Sequence, residues 1–184
     1  MTTPTRTATG LAFAALLISA AGAHAATMAK ADYSAGKTSI GATFKADRSA
    51  CDVQSGNARD ICREEAKAKE KVARAELKFQ YTGKVADQDR VHVAKAESTY
   101  AVSKERCDDK AGNDKDVCVK EAKALRDKAL ADVKLGKRIG EARSDAAETK
   151  READYKVLAE KCQALAGDTK ASCIASARLT TGKT

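Results

Sequence analysis

Six cysteines, set out as three matching pairs, are the residues of this chain whose type and spacing could do chemistry. They are Cys51 and Cys62, Cys107 and Cys118, and Cys162 and Cys173, in CDVQSGNARDIC, CDDKAGNDKDVC and CQALAGDTKASC. Three chemistries use paired cysteines. A structural zinc site wants pairs about two to four residues apart, with further Cys or His ligands. Here ten residues separate each pair and no histidine stands nearby, which argues against zinc. Thiol redox chemistry wants a C-x-x-C or a cysteine activated at a helix start, and three equivalent pairs single out neither. Disulfides remain, paired Cys51–Cys62, Cys107–Cys118 and Cys162–Cys173 because each pair flanks its own turn. The residues point to no catalytic group, no metal and no cofactor.

Disulfides need an oxidising compartment, and the N-terminus supplies a reason to expect one. Arg6 is the only charge before an apolar run, Leu11 to Ala20, and Ala23-His24-Ala25 follows. A basic start, a short hydrophobic stretch and an A-x-A site read as a secretory signal over residues 1–25, cleaved after Ala25. The apolar stretch is about half of the ~20 residues that span a bilayer, so no membrane span is expected after cleavage. Residues 26–184 then form a single helical repeat domain with a periplasmic or secreted location.

The elements that must position the cysteines follow from the same repeat. First cysteines recur after 56 and 55 residues, and a period of this size marks copies of one supersecondary unit. Midway through each pair, Gly56, Gly112 and Gly167 suit the left-handed residue that closes a helix. Asn57, Asn113 and Asp168 follow directly, as side chains able to cap the next helix. Turns are therefore expected near residues 56–57, 112–113 and 167–168. Each cysteine stands five residues from this turn, about 1.4 turns of helix, so two antiparallel helices can bring the sulfurs together. An aromatic residue precedes each first cysteine by seven: Phe44, Tyr100 and Tyr155. Two turns of helix put ring and sulfur on one face, which reads as an anchor for the hairpin interface rather than a ligand stripe.

Composition sets the kind of core. Removing 25 residues from 184 leaves 159, of which Leu, Ile, Val and Phe number 23. That is below the ~20% at which a conventional core becomes doubtful. Alanine, lysine, glutamate and arginine are abundant, and these have the best helix propensities. Expected helices are Met28 to Val53, Ala58 to Tyr81, Lys84 to Ala111, Asp114 to Leu135, Glu141 to Ala166 and Thr169 to Arg178. The glycines of YTGK (Gly83) and LGKRIG (Gly136) are read as bends between repeats; if they are merely tolerated inside helices, two helices of roughly 50 residues, each ~75 Å long, run through instead. The fold class is all-α: an array of antiparallel, coiled-coil-like hairpins, each stapled by a C-x10-C disulfide.

Charge adds little that is specific. The formal net charge is +8, or +7 without Arg6. Lys134, Lys137, Arg138 and Arg143 form the densest basic segment, interrupted by Glu141. Elsewhere signs alternate, as on a solvated helix face, and the basic stripe with stacking aromatics that nucleic acid requires is missing. An anionic lipid or envelope polymer is the partner such a surplus could meet. His92, the only histidine beyond residue 25, lies in a charged helix without a nucleophile at a motif spacing, and reads as a half-exposed helical residue.

The segments AGNDKDVCVKEAKA and EARSDAAETKREADYKV resemble small exported proteobacterial proteins labelled TolA-like or cell-envelope-biogenesis proteins. The resemblance implies an envelope location and no catalysis, and it carries over no functional residues. TolA itself has a retained membrane anchor and a globular C-terminal domain, and neither is read in this chain. The expectation is thus a non-enzymatic envelope protein with a structural or binding role toward a protein or anionic polymer. An ATP-independent chaperone of the Spy-like kind is the alternative, without its LTxxQ-type motif, and a thiol redox protein is a weaker one.

Overall fold

The computed structural model describes residues 28–183. The signal-peptide reading of residues 1–25 lies outside them. Five α-helices follow one another: α1 (Lys30–Ala50), α2 (Gly56–Thr82), α3 (Val85–Cys107), α4 (Gly112–Cys162) and α5 (Gly167–Thr181), with a 3-10 turn at Cys51–Val53. No strand occurs among the described residues.

Each helix packs only against its neighbours in sequence. The direction of packing is written in the ion pairs. Arg106 meets Glu65 at 2.6 Å and Lys95 meets Glu76 at 2.7 Å, so moving forward along α3 moves backward along α2. Asp52–Arg63 at 2.8 Å and Asp47–Lys69 at 3.5 Å set the same antiparallel register for α1 and α2. The helices therefore form a chain of hairpins one layer thick. Among the described residues no helix is enclosed on all sides, and the core is reduced to narrow seams.

Small side chains fill those seams. Ala66, Ala94, Ala96, Ala122 and Ala177 are buried, and among the larger apolar residues Leu77 and Val91 join them. The largest fully buried side chains are Cys51, Cys107 and Cys162. Alanine suits a two-helix seam because it lets backbones approach without losing side-chain entropy on burial. Gly36 makes room where α1 meets α2: a Cβ there would stand 2.8 Å from a methyl of Leu77.

One expected bend exists and one does not. Gly83 takes φ 62°, and its N–H donates to the Phe79 carbonyl at 2.8 Å, closing α2 in the left-handed manner. Gly136 does not interrupt the chain. Helix α4 runs unbroken for 51 residues, about 76 Å at 1.5 Å per residue, where two helices ending near Leu135 and starting near Glu141 were expected. A single helical glycine costs only ~1 kcal/mol relative to alanine. Neither Gly136 nor Gly140 has positive φ, and the Lys, Arg, Glu and Ala around them carry the helix through.

At Gly83 a second device fixes the reversal. Asp87 is buried in the first turn of α3. It accepts a hydrogen bond from the Thr82 hydroxyl at 2.6 Å and pairs with Arg90. The Thr82 bond holds its carboxyl below the ordinary value of 3.8, against the opposing effect of burial, and Arg90 helps. A depressed carboxyl adds stability that is present above its unfolded value and lost as pH falls through the folded one. The wild-type melting temperature should therefore decline below about pH 4, and Asp87→Asn should lack that part of the decline. Parallel melts of the two proteins across this range check it; identical pH slopes would remove Asp87 from the account.

Candidate functional site: stapled turns and the groove between α3 and α4

All six cysteines are bonded, in the pairs Cys51–Cys62, Cys107–Cys118 and Cys162–Cys173, with Cα–Cα separations of 5.6, 5.7 and 5.7 Å. In every pair the first cysteine is buried and the second half-buried. The first cysteine ends its helix or begins the tightening that does. Its carbonyl accepts the N–H three residues on: Gln54 from Cys51 at 3.1 Å, Lys110 from Cys107 at 3.0 Å, Leu165 from Cys162 at 3.1 Å.

This recurring tight turn corrects the expected helix ends. The helices stop at the cysteine rather than running to Val53, Ala111 or Ala166, because the chain over-winds there. The glycines behave as expected in one respect, with φ of 57°, 54° and 57° at Gly56, Gly112 and Gly167. However, each glycine opens the following helix, and the cap position falls one residue earlier, on Ser55, Ala111 and Ala166, with extended backbone and no side-chain capping bond. Asn57, Asn113 and Asp168 therefore stand inside the helix and do not cap it.

Freed from that task, Asn57 links two repeats. Its side-chain amide donates to the Glu105 carbonyl at 3.1 Å and to the Asp109 carboxylate at 2.7 Å. The first stapled turn is thereby tied to the second, since antiparallel α2 and α3 bring both to one end of the layer. Nothing in the repeat spacing signals this contact; it depends on the lengths of two helices.

The three aromatic residues are half-buried, and each meets a cation. Arg126 lies 4.4 Å from the Tyr100 ring centre, Lys183 4.4 Å from Tyr155, and Arg48 5.7 Å from Phe44. In the second and third hairpins the cation comes from across the hairpin, so ring and charge clamp the two helices together. Arg126 is held further toward its charged form by the Asp127 carboxylate. Lys183 also pairs with Glu152, whose carboxyl is pulled below its ordinary value chiefly by that hydrogen bond. Seven-residue spacing exposed the rings in the sequence; their cations share no fixed offset and were not legible.

Between α3 and α4, beyond the Tyr100–Arg126 clamp, runs a groove of about 700 Å3. Asp89, His92, Lys95 and Asp132 line it together with the alanines of both helices. His92 stands exposed at its edge. Two acids, Asp89 and Asp132, and two bases, Lys95 and Arg126, share the lining, and this mixed-charge trough suits an extended polar chain or a helix laid lengthwise better than a small molecule wrapped on all sides. Among the described residues no group of three or more acidic, His or Cys side chains is placed to hold a metal ion. No helix there is long and apolar enough to cross a membrane.

A scan against protein-family models found no match, and searches of curated proteins and of solved structures found none either.

Proposed function

We propose that this chain is a non-enzymatic protein of an oxidising envelope compartment, periplasmic or secreted, whose extended, coiled-coil-like hairpins bind or brace an envelope component. The observation that carries the reading is the use of every cysteine in a local staple, three times with one geometry. Such staples persist where thiols are oxidised, and they stiffen helices that have almost no core of their own. The resemblance to TolA-like exported proteins supports the same location. A protein or an anionic polymer is the partner class that a basic, mixed-charge surface fits.

The test is capture from an envelope fraction by the oxidised protein, beside the same protein reduced and alkylated. The reading expects a partner retained by the oxidised form and lost with the staples. Equal capture by both forms would separate binding from the folded hairpins and sink the proposal.

One observation favours a second reading. Val53, Val85 and Leu179 are 91%, 70% and 84% exposed, at the end of a 3-10 turn, the start of α3 and the end of α5. Bare apolar side chains at hairpin ends suit an ATP-independent chaperone that holds unfolded clients. Suppression of client aggregation that survives replacement of all six cysteines by serine would favour it over the bracing role.

A further inference from the structure

Helix α3 covers the first half of α4 and α5 covers the last part. Between them, every residue from Lys134 to Arg151 is exposed. Within this bare span Leu135 and Ile139 are 54% and 43% exposed. Together with Ala142 and Ala146 they recur at intervals of four, three and four residues, the heptad spacing of a coiled-coil seam. At ~100° per residue this stripe is turned roughly 150° from the face of α4 that Ala122, Arg126, Ala129 and Val133 bury against α3. It is turned about as far from the α5 side at Leu158 and Cys162. The stripe is thus the open back of the longest helix, with nothing among the described residues in the way of a partner.

Charge says what that partner is. Arg138 and Asp145 flank the stripe on one side, each directly preceding a seam residue, Ile139 or Ala146. We propose that a second copy of this chain packs antiparallel along the stripe, about a two-fold axis between Gly140 and Glu141. Leu135 then faces Ala146 of the second copy and Ile139 faces its Ala142. In this register Arg138 lies opposite Asp145 of the second copy, and the two-fold repeats the pair. Other alignments lose the match. Sliding by one heptad sets Arg138 against its own counterpart in one direction, and Asp145 and Arg143 against theirs in the other. A parallel pairing points Arg138 at Arg143. Alanine at half the seam positions lets two helices approach closely but keeps the interface below the ~1,200 Å2 of stable complexes, so association is weak and needs high concentration.

Sedimentation equilibrium on the disulfide-bonded protein at about 100 µM tests this, with helix content checked by circular dichroism. Wild type should show a monomer–dimer equilibrium in the micromolar range. Arg138→Asp alone and Asp145→Arg alone should each dimerise roughly tenfold more weakly, since two attractive pairs become repulsive. The two variants mixed together should recover association, because each then supplies what the other lacks. Ile139→Asp should be monomeric. All three substitutions are at exposed positions and leave the hairpins folded. A wild-type monomer throughout, a mixture no tighter than its parts, or tighter association of Arg138→Asp, as parallel pairing requires, would each overturn the proposal.

Discussion

Reduction of the three disulfides should lower the melting temperature sharply while most of the helical far-ultraviolet signal persists at low temperature. Each pair closes a ring with a sequence separation of 11 residues. In the chain-entropy model such a ring contributes ~3 kcal/mol, equivalent to roughly 6–12 °C for a domain of this size. A one-layer array has no second layer to compensate, so the loss is felt in full. The pairs should differ when replaced one at a time by serine. Cys107–Cys118 should be the most severe, since it joins α3 and α4, each of which also packs against a further helix, whereas the other two staples each hold a helix with one neighbour. Cys162–Cys173 should be the mildest in the global midpoint, because only the 15-residue α5 depends on it. Helices that short are marginal alone, so α5 should lose amide-exchange protection even where the midpoint barely moves. Trypsin should cut within every ring, at Arg59, at Lys110 or Lys115, and at Lys170, leaving peptides joined until reduced. A six-Cys→Ser protein that melted with the wild type would make the staples incidental.

That experiment leans on what the repeat made legible. The disulfide partners, the all-helical class and the reversals at Gly56, Gly112 and Gly167 were written in local residue types, because cysteine spacing and left-handed glycines act within a few residues. Gly83 and Gly136 show where such reasoning stops. Both read as bends, yet only Gly83 has a neighbour, Asp87, that fixes the reversal through Thr82. The capping role read into Asn57 failed for a related reason. The cap fell on Ser55 instead, and the Asn57 side-chain amide donates to the Glu105 carbonyl 48 residues away, a contact between repeats that no local pattern encodes. The clamp of Arg126 on Tyr100 was hidden likewise, since the offset between ring and cation differs in every hairpin.

The second large effect should come from the contact of Gly36 on α1 with Leu77 on α2. Leu77→Ala removes the largest apolar side chain buried on α2, and should cost about 2–3 kcal/mol, the lower part of the range for buried leucines, since a seam open on both sides can partly collapse. Gly36→Ala sets two effects against each other. It gains up to ~1 kcal/mol of helix propensity, but drives a methyl to within 2.8 Å of Leu77, and overpacking costs ~1–3 kcal/mol. We expect a net loss. Gly136→Ala, with nothing within 4 Å of its would-be Cβ, should instead stabilise by up to ~1 kcal/mol. The double variant Gly36→Ala/Leu77→Ala is the informative one, because the new methyl enters the space the leucine leaves. Denaturant melts should give a double-variant loss about 1 kcal/mol smaller than the sum of the singles. Strict additivity would mean that α1 already stands off from α2 in solution.

The uncovered stretch of α4 also fixes an angle. A lone helix couples what it joins in rotation as well as distance, since every residue advances ~1.5 Å and turns ~100°. The third hairpin is thus held in phase with the other two, like a second hand on one shaft. Deleting or adding seven residues within Lys134 to Arg151 would change the separation by ~10 Å and leave the phase almost unchanged; two residues would move it only ~3 Å yet swing α5 to nearly the opposite side. Length changes in this segment are therefore neutral or disruptive according to their remainder on the helical repeat, and their size alone says little.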